Sequence, residues 1–105
     1  MTYKRYETEL FTEQLQRIRH ADKTTAERID KVLNRLLKSP EVYDGLLKGP
    51  RAGQCKKRAV DEKYRIVYKY CELCLKLNKE KCADCSLPDD AVIFREVFPR
   101  DEGYD

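Results

Sequence analysis

Between Gln54 and Tyr70 the chain reads Gln-Cys-Lys-Lys-Arg-Ala-Val-Asp-Glu-Lys-Tyr-Arg-Ile-Val-Tyr-Lys-Tyr, and this stretch restricts the fold more than any other. Tyr, Ile and Val, which suit a pleated, half-buried surface, crowd its second half, and the polar centre from Val60 to Tyr64 suits a tight turn. The pattern predicts a β-hairpin with strands over roughly 55–60 and 64–70. Successive side chains of a strand face opposite ways, so Arg65, Val67 and Lys69 share one face while Tyr64, Ile66, Tyr68 and Tyr70 share the other. One face is cationic and the other is apolar enough to cover a core. A matched register sets Lys56 and Arg58 beside Arg65. The stretch holds six cations against two anions, +4 locally, where the whole chain nets +3. Basicity concentrated on a sheet suits a rigidly held polyanion; a solvated sheet face accounts for the same charges.

A length of 105 residues implies one domain, 1–105, with a single core. Charged residues make up 39% and hydrophobic ones 41%, so the surface is very polar. The longest apolar run, Ala91-Val92-Ile93-Phe94, is far short of the roughly 20 residues of a membrane span, and the charged first ten residues do not fit a signal peptide. The expected location is the cytoplasm, with no membrane partner.

Ahead of the hairpin, residues 2–7 alternate loosely and predict a short first strand. From about Thr8 to His20, Phe11, Leu15 and Ile18 form one stripe of an amphipathic helix. Thr24 and Glu27 fit a capping box for a second helix, whose Ala26, Ile29, Val32, Leu33, Leu36 and Leu37 give a broad apolar face up to the stop at Ser39-Pro40. The short joint predicts an antiparallel helical hairpin. His20, the single histidine, has no partner for catalysis in sequence and reads as a surface or capping residue. Residues 40–53 are rich in Pro and Gly and read as a loop whose Leu46 and Leu47 return to the core. A last strand runs over Ala91–Phe98. The order β-α-α-β-β-β is that of an α+β domain, with the helical hairpin packed on one face of a small, twisted, mainly antiparallel sheet.

Cys71-Glu-Leu-Cys74 and Cys82-Ala-Asp-Cys85 form two C-x-x-C pairs within an insert at about 71–88. Each pair chelates one ion in a tight turn, and four thiolates at about 2.3 Å complete a tetrahedral zinc shell. Such a closed site is structural and ties off a connection with few apolar side chains. Disulfides or free thiols are the alternatives, and a reducing compartment favours zinc. Cys55 stands apart and reads as a buried strand thiol.

Leu47-Lys-Gly49, Lys56-Lys-Arg58, Tyr64-Arg65-Ile-Val-Tyr68 and a final strand followed by Arg100 and Tyr104 come in an order and spacing that resemble the RelE/ParE superfamily of toxins from toxin-antitoxin pairs. The resemblance covers about 6–70 and 91–104; the four-cysteine insert departs from it. It implies a RelE-like fold, a cognate antitoxin partner, and metal-independent endonucleolytic cutting of mRNA on the ribosome without a small-molecule cofactor. Carried over by position, it implies a catalytic set of Lys56, Arg58, Arg65, Arg100 and Tyr104, with Arg51, Lys57 and Lys69 as further RNA contacts. That set has no histidine and no carboxylate pair, so the implied reaction is attack of a 2′-hydroxyl on its own phosphate. Lys56 would take the proton, Arg65 and Arg100 would stabilise the phosphorane, and Tyr104 would stack on a base or orient the leaving group. ParE-type relatives share the scaffold but target DNA gyrase. A zinc-stapled RNA-binding domain without catalysis is the other alternative.

Overall fold

The computed structural model describes residues 3–47, 54–70 and 91–100. Strand β1 (Lys4–Glu7) leads into helix α1 (Glu9–Ala21) and helix α2 (Lys23–Lys38). Strands β2 (Gly45–Leu46), β3 (Cys55–Ala59), β4 (Tyr64–Tyr70) and β5 (Ala91–Pro99) follow, and the sheet order is β1-β5-β4-β3-β2. Neighbours pair antiparallel except β1, which runs parallel to β5. The layout is the expected α+β one, helices on one face of a mainly antiparallel sheet, with β2 added at one edge. Leu46 lies in that edge strand and is 37% exposed, so it does not return to the core as its hydrophobicity suggests.

Thr8 caps α1: its extended backbone precedes the helix, and its hydroxyl accepts from Phe11 N–H at 3.1 Å. The cap of α2 is Asp22, not the Thr24 of the capping-box reading. Its carboxylate accepts from the Thr25 N–H at 3.2 Å and the Thr25 hydroxyl at 2.8 Å, while its own N–H closes α1 onto the Ile18 carbonyl at 2.8 Å. A carboxylate takes two donors at once and complements the positive end of the helix dipole, so it outcompetes a threonine hydroxyl. The hydrogen bonds from Thr25 hold the Asp22 carboxyl below its ordinary value. Ser39 caps the C-terminal end, as expected.

Phe11, Leu15, Ile29, Leu33 and Leu36 of the helices close over Ile66, Tyr68, Val92, Phe94 and Val97 of the sheet. Phe11 stacks on Phe94 with centroids 5.4 Å apart. Tyr68 is fully buried and donates its hydroxyl to the Pro40 carbonyl at 2.6 Å, satisfying the polar end of a large apolar side chain. The ladder between β4 and β5 slips where Val67 faces Glu96 and Tyr68 faces Phe94, leaving Arg95 as the extra residue. Helix α1 supplies the partners such a bulge needs: the Thr8 hydroxyl donates to the Arg95 carbonyl at 2.8 Å, and Gln14 Oε1 accepts from Val97 N–H at 2.8 Å. The bulge thereby fixes where α1 sits on the sheet.

Candidate nucleic-acid interface

The hairpin register places Arg58 directly opposite Arg65, and Lys56 opposite Val67, on the sheet face away from the helices. Phe98 lies opposite Arg65 across the other edge of β4. Two residues beyond it is Arg100, exposed, with its N–H donating to the Lys63 carbonyl at 2.8 Å. Arg58, Arg65 and Arg100 therefore gather at the hairpin end of the sheet. A cleft of about 470 Å³ opens there between Asp61, Glu62, Lys63, Tyr64, Pro99 and Arg100.

The remaining expected cations are placed differently. Lys69 shares the face of Arg65 but pairs with Ile93, four residues or roughly 13 Å further along β4. Lys57 alternates onto the opposite face, where its ammonium lies 3.6 Å from Asp44, so it does not join the arginines as an RNA contact of the same surface. Lys56 leans over the edge strand: a Cβ on its partner Gly45 would stand 2.8 Å from Lys56 Cε. A side chain at Gly45 would oblige the flexible end of Lys56 to shift. Arg51, Tyr104 and the four cysteines Cys71, Cys74, Cys82 and Cys85 lie outside the described residues. Cys55 is buried, and burial pushes its thiol up to about 12, with a hydrogen bond to Tyr68 acting the other way. That makes it a core thiol and a poor nucleophile.

Two carboxylates, Asp44 and the Glu62 already counted among the anions of the hairpin, shape the charge of this surface. Asp44 reaches across from the chain before β2: its carboxylate accepts from the Arg58 N–H at 2.6 Å and lies 3.7 Å from Arg58 Nε. Glu62 closes the other side, 2.8 Å from Arg58 Nη1. Arg58 and Arg65 are like charges opposed across strands, an arrangement that is unfavourable alone, and the two carboxylates offset it. Arg65 and Lys69 are engaged as well. The face also carries apolar side chains, with Val67 fully buried and Phe98 only 5% exposed. It is therefore a mixed, largely paired surface and not the open cationic groove that alternation suggests. Glu62, four residues after Arg58, was within reach of sequence reasoning; Asp44 was not, because a loop of no regular pattern delivers it.

The turn that carries Glu62 is strained. Val60, Asp61 and Glu62 have φ of 53°, 55° and 69°, three left-handed residues in succession without a glycine. Each costs roughly 1–2 kcal/mol, most for the β-branched valine. The surroundings hold it: Arg28 of α2 pairs with Asp61 at 3.1 Å, Glu62 pairs with Arg58, and Arg100 hydrogen-bonds to Lys63. Strain of this kind persists where several contacts fix the backbone.

No family model matches the chain, and no curated protein matches it. Solved structures do. The toxin-antitoxin complex RelBE2 from Mycobacterium tuberculosis contains a chain similar to this one with a TM-score of 0.66 at 16% identity, over 95% of this chain and 93% of that one. A YoeB/ParE toxin from Agrobacterium tumefaciens matches with a TM-score of 0.64 at 18% identity, over 92% and 98% of the two chains. YafQ from Escherichia coli matches with a TM-score of 0.54 at 17% identity, over 98% and 99%. With near-complete coverage both ways, the chain shares the fold of these toxin structures.

Proposed function

We propose that the chain is the toxin of a toxin-antitoxin pair and that it cuts mRNA on the ribosome. The observation that carries this reading is the meeting of Arg58, Arg65 and Arg100 at one end of a sheet whose fold is that of RelE-type toxins. Arg100 lines the cleft, and Arg58 and Arg65 lie at the same end of the sheet; guanidiniums so placed supply what a metal-free phosphoryl transfer needs, donors for the charge that builds on the phosphorane. The attacking 2′-hydroxyl forms the new P–O bond and gives its proton to Lys56 once it swings from Gly45, or to Glu62, the carboxylate already beside Arg58; the P–O5′ bond breaks, and the 5′-oxygen takes that proton as it leaves, giving a 2′,3′-cyclic phosphate and a 5′-hydroxyl. A phosphate entering the cleft displaces Glu62 from Arg58, an exchange made easy because that pair is exposed. Tyr104, four residues beyond Arg100, serves as the stacking group. The ribosome supplies the substrate geometry.

The antitoxin reading rests on the toxin-antitoxin complex among the similar structures. Gyrase inhibition is the second reading, because a YoeB/ParE toxin stands beside the RelE-type structures. Both predict growth arrest on expression. Mapping mRNA 5′ ends after induction separates them, since only the ribonuclease produces new ends within coding sequences. Arg100→Ala and Tyr104→Ala should each retain ribosome binding and lower single-turnover cleavage by about 10²-fold or more; wild-type rates in both would remove them from the site. For the insert, the C-x-x-C spacing supports one structural zinc on Cys71, Cys74, Cys82 and Cys85. Elemental analysis should give about one equivalent, and paired disulfides in the folded protein would sink that assignment.

A further inference from the structure

The surface of α2 holds a second concentration of positive charge. Arg28, Lys31, Arg35 and Lys38 are all exposed, and at 3.6 residues per turn they fall within about 80° of the helix circumference. Ten residues at a rise of about 1.5 Å spread them over roughly 15 Å. Arg28 is tied to Asp61 of the strained turn. The other three take part in none of the ion pairs found among the described residues. The nearest acid on the helix by sequence, Asp30, is engaged by Arg19 of α1 at 2.9 Å, and Glu27 is the remaining carboxylate of α2. Lys31 and Arg35 are like charges four apart, and Arg35 and Lys38 three apart, spacings that weaken a helix. Placement in the last turn repays Arg35 and Lys38 through the helix dipole. Glu27, one turn before Lys31, favours that lysine at i,i+4 without a close ion pair; neither effect accounts for the alignment of the three.

We propose that Lys31, Arg35 and Lys38 form a binding stripe for the phosphate backbone of structured RNA, on the helical layer opposite the arginine cluster. From Lys31 to Lys38 the stripe spans seven residues, roughly 10 Å, or about three phosphate spacings of one strand at about 3.4 Å each. The occupant is a polyanion and not an acidic protein segment, because a protein partner anchors through apolar side chains and this stripe offers none. Ile29, Leu33, Leu36 and Leu37 are buried under the helix, and the exposed large apolar residues among those described, Leu10, Val42 and Leu46, lie outside α2. The stripe thus gives the molecule a second grip on RNA, one that holds without reading sequence.

The test uses the whole chain and a short RNA hairpin with a stem of ~12 base pairs, without ribosomes, so that binding is read independently of any cleavage. In Lys31→Gln/Arg35→Gln/Lys38→Gln the affinity at low salt should fall at least ~10-fold, and the log–log salt slope should drop by roughly 2, at about 0.7–0.9 per lost phosphate contact. A control with equal charge loss, Lys4→Gln/Arg17→Gln/Lys23→Gln, should lose less than about threefold if position matters beyond net charge. All six positions are exposed, so both variants should fold, which circular dichroism checks. Equal losses in the two triple variants, or no loss in the first, would overturn the assignment. So would unchanged RNA affinity together with lost binding to a polyglutamate peptide, which would give the stripe to an acidic protein. An Arg65→Ala variant that binds the hairpin normally but cuts nothing leaves the stripe standing; failure of the stripe with cleavage intact leaves the proposed activity standing.

Discussion

The outer face of β3 and β4 and the exposed stripe of α2 are both rich in cations, yet the first is internally neutralised and the second is open. On the sheet, Asp44 and Glu62 bracket Arg58, Asp44 also holds Lys57, and Arg65 is engaged. On the helix, Lys31, Arg35 and Lys38 take part in none of the ion pairs among the described residues. Local density of Lys and Arg in a sequence therefore says where charge is placed, not where it is free. A sheet that must fix guanidiniums for chemistry needs carboxylates to hold them, because opposed arginines repel. A surface that only attracts a backbone needs no such scaffold.

The sheet face rides on the aromatic core, and the largest effect should come from removing it. Phe94→Ala takes away the ring stacked on Phe11 and packed against Tyr68, and should cost about 3–5 kcal/mol in urea unfolding. A loss below about 1 kcal/mol would mean that the platform is held some other way.

Alkaline titration probes the same layer. Burial raises Cys55 from an ordinary 9.0 to about 12 and Tyr70 from 10.0 to about 12, and it raises Tyr68 further. In the fold these groups stay protonated at pH values where the unfolded chain ionises, so stability is complete below about 9 and is lost as pH rises toward 12. The decline approaches about 1.4 kcal/mol per pH unit for each group in its window. Cys55→Val should remove the part that begins near 9; a flat profile to pH 11 would contradict the buried assignment.

Smaller effects separate the two surfaces directly. Asp44→Asn keeps an acceptor for the Arg58 N–H but frees Lys57 and the Arg58 guanidinium from a carboxylate. RNA affinity should rise by about threefold with a steeper salt dependence; reduced affinity would mean that Asp44 positions more than it neutralises. Least of all, Asp61→Gly relieves one left-handed residue and gives up the exposed pair with Arg28, a net gain of up to ~1 kcal/mol. Destabilisation would show that the pair with α2, and not backbone strain, governs the turn.

Much of the scaffold was legible because its signals are local. The 3.6-residue stripes marked both helices, and the aromatic and β-branched run marked β4. The Ser39-Pro40 stop was equally plain. What escaped depends on long-range contact. The parallel pairing of β1 with β5 joins residues nearly ninety positions apart, as Lys4 with Ala91, and no periodicity encodes it. The bulge at Arg95 is visible only once Thr8 and Gln14 of α1 are seen to serve its backbone. Asp22 prevailed over Thr24 because one carboxylate at a one-residue joint serves the incoming helix while its N–H closes the outgoing one. Among the candidate site residues, strand alternation placed Arg58 and Arg65 correctly. It also moved Lys57 off their face, and the lean of Lys56 over Gly45 belongs to an edge strand hidden in a Gly-rich loop.

The proposed role of the arginine cluster at the hairpin end is RNA cleavage on the ribosome. The direct test is single-turnover cleavage of mRNA on programmed ribosomes by the wild-type chain and by Arg65→Ala. New 5′ ends should arise at the codon held in the ribosome, with a rate at least about 10²-fold lower in the variant and ribosome binding retained. Wild-type protein that binds ribosomes and leaves the mRNA whole, or Arg65→Ala cutting at the wild-type rate, would contradict it.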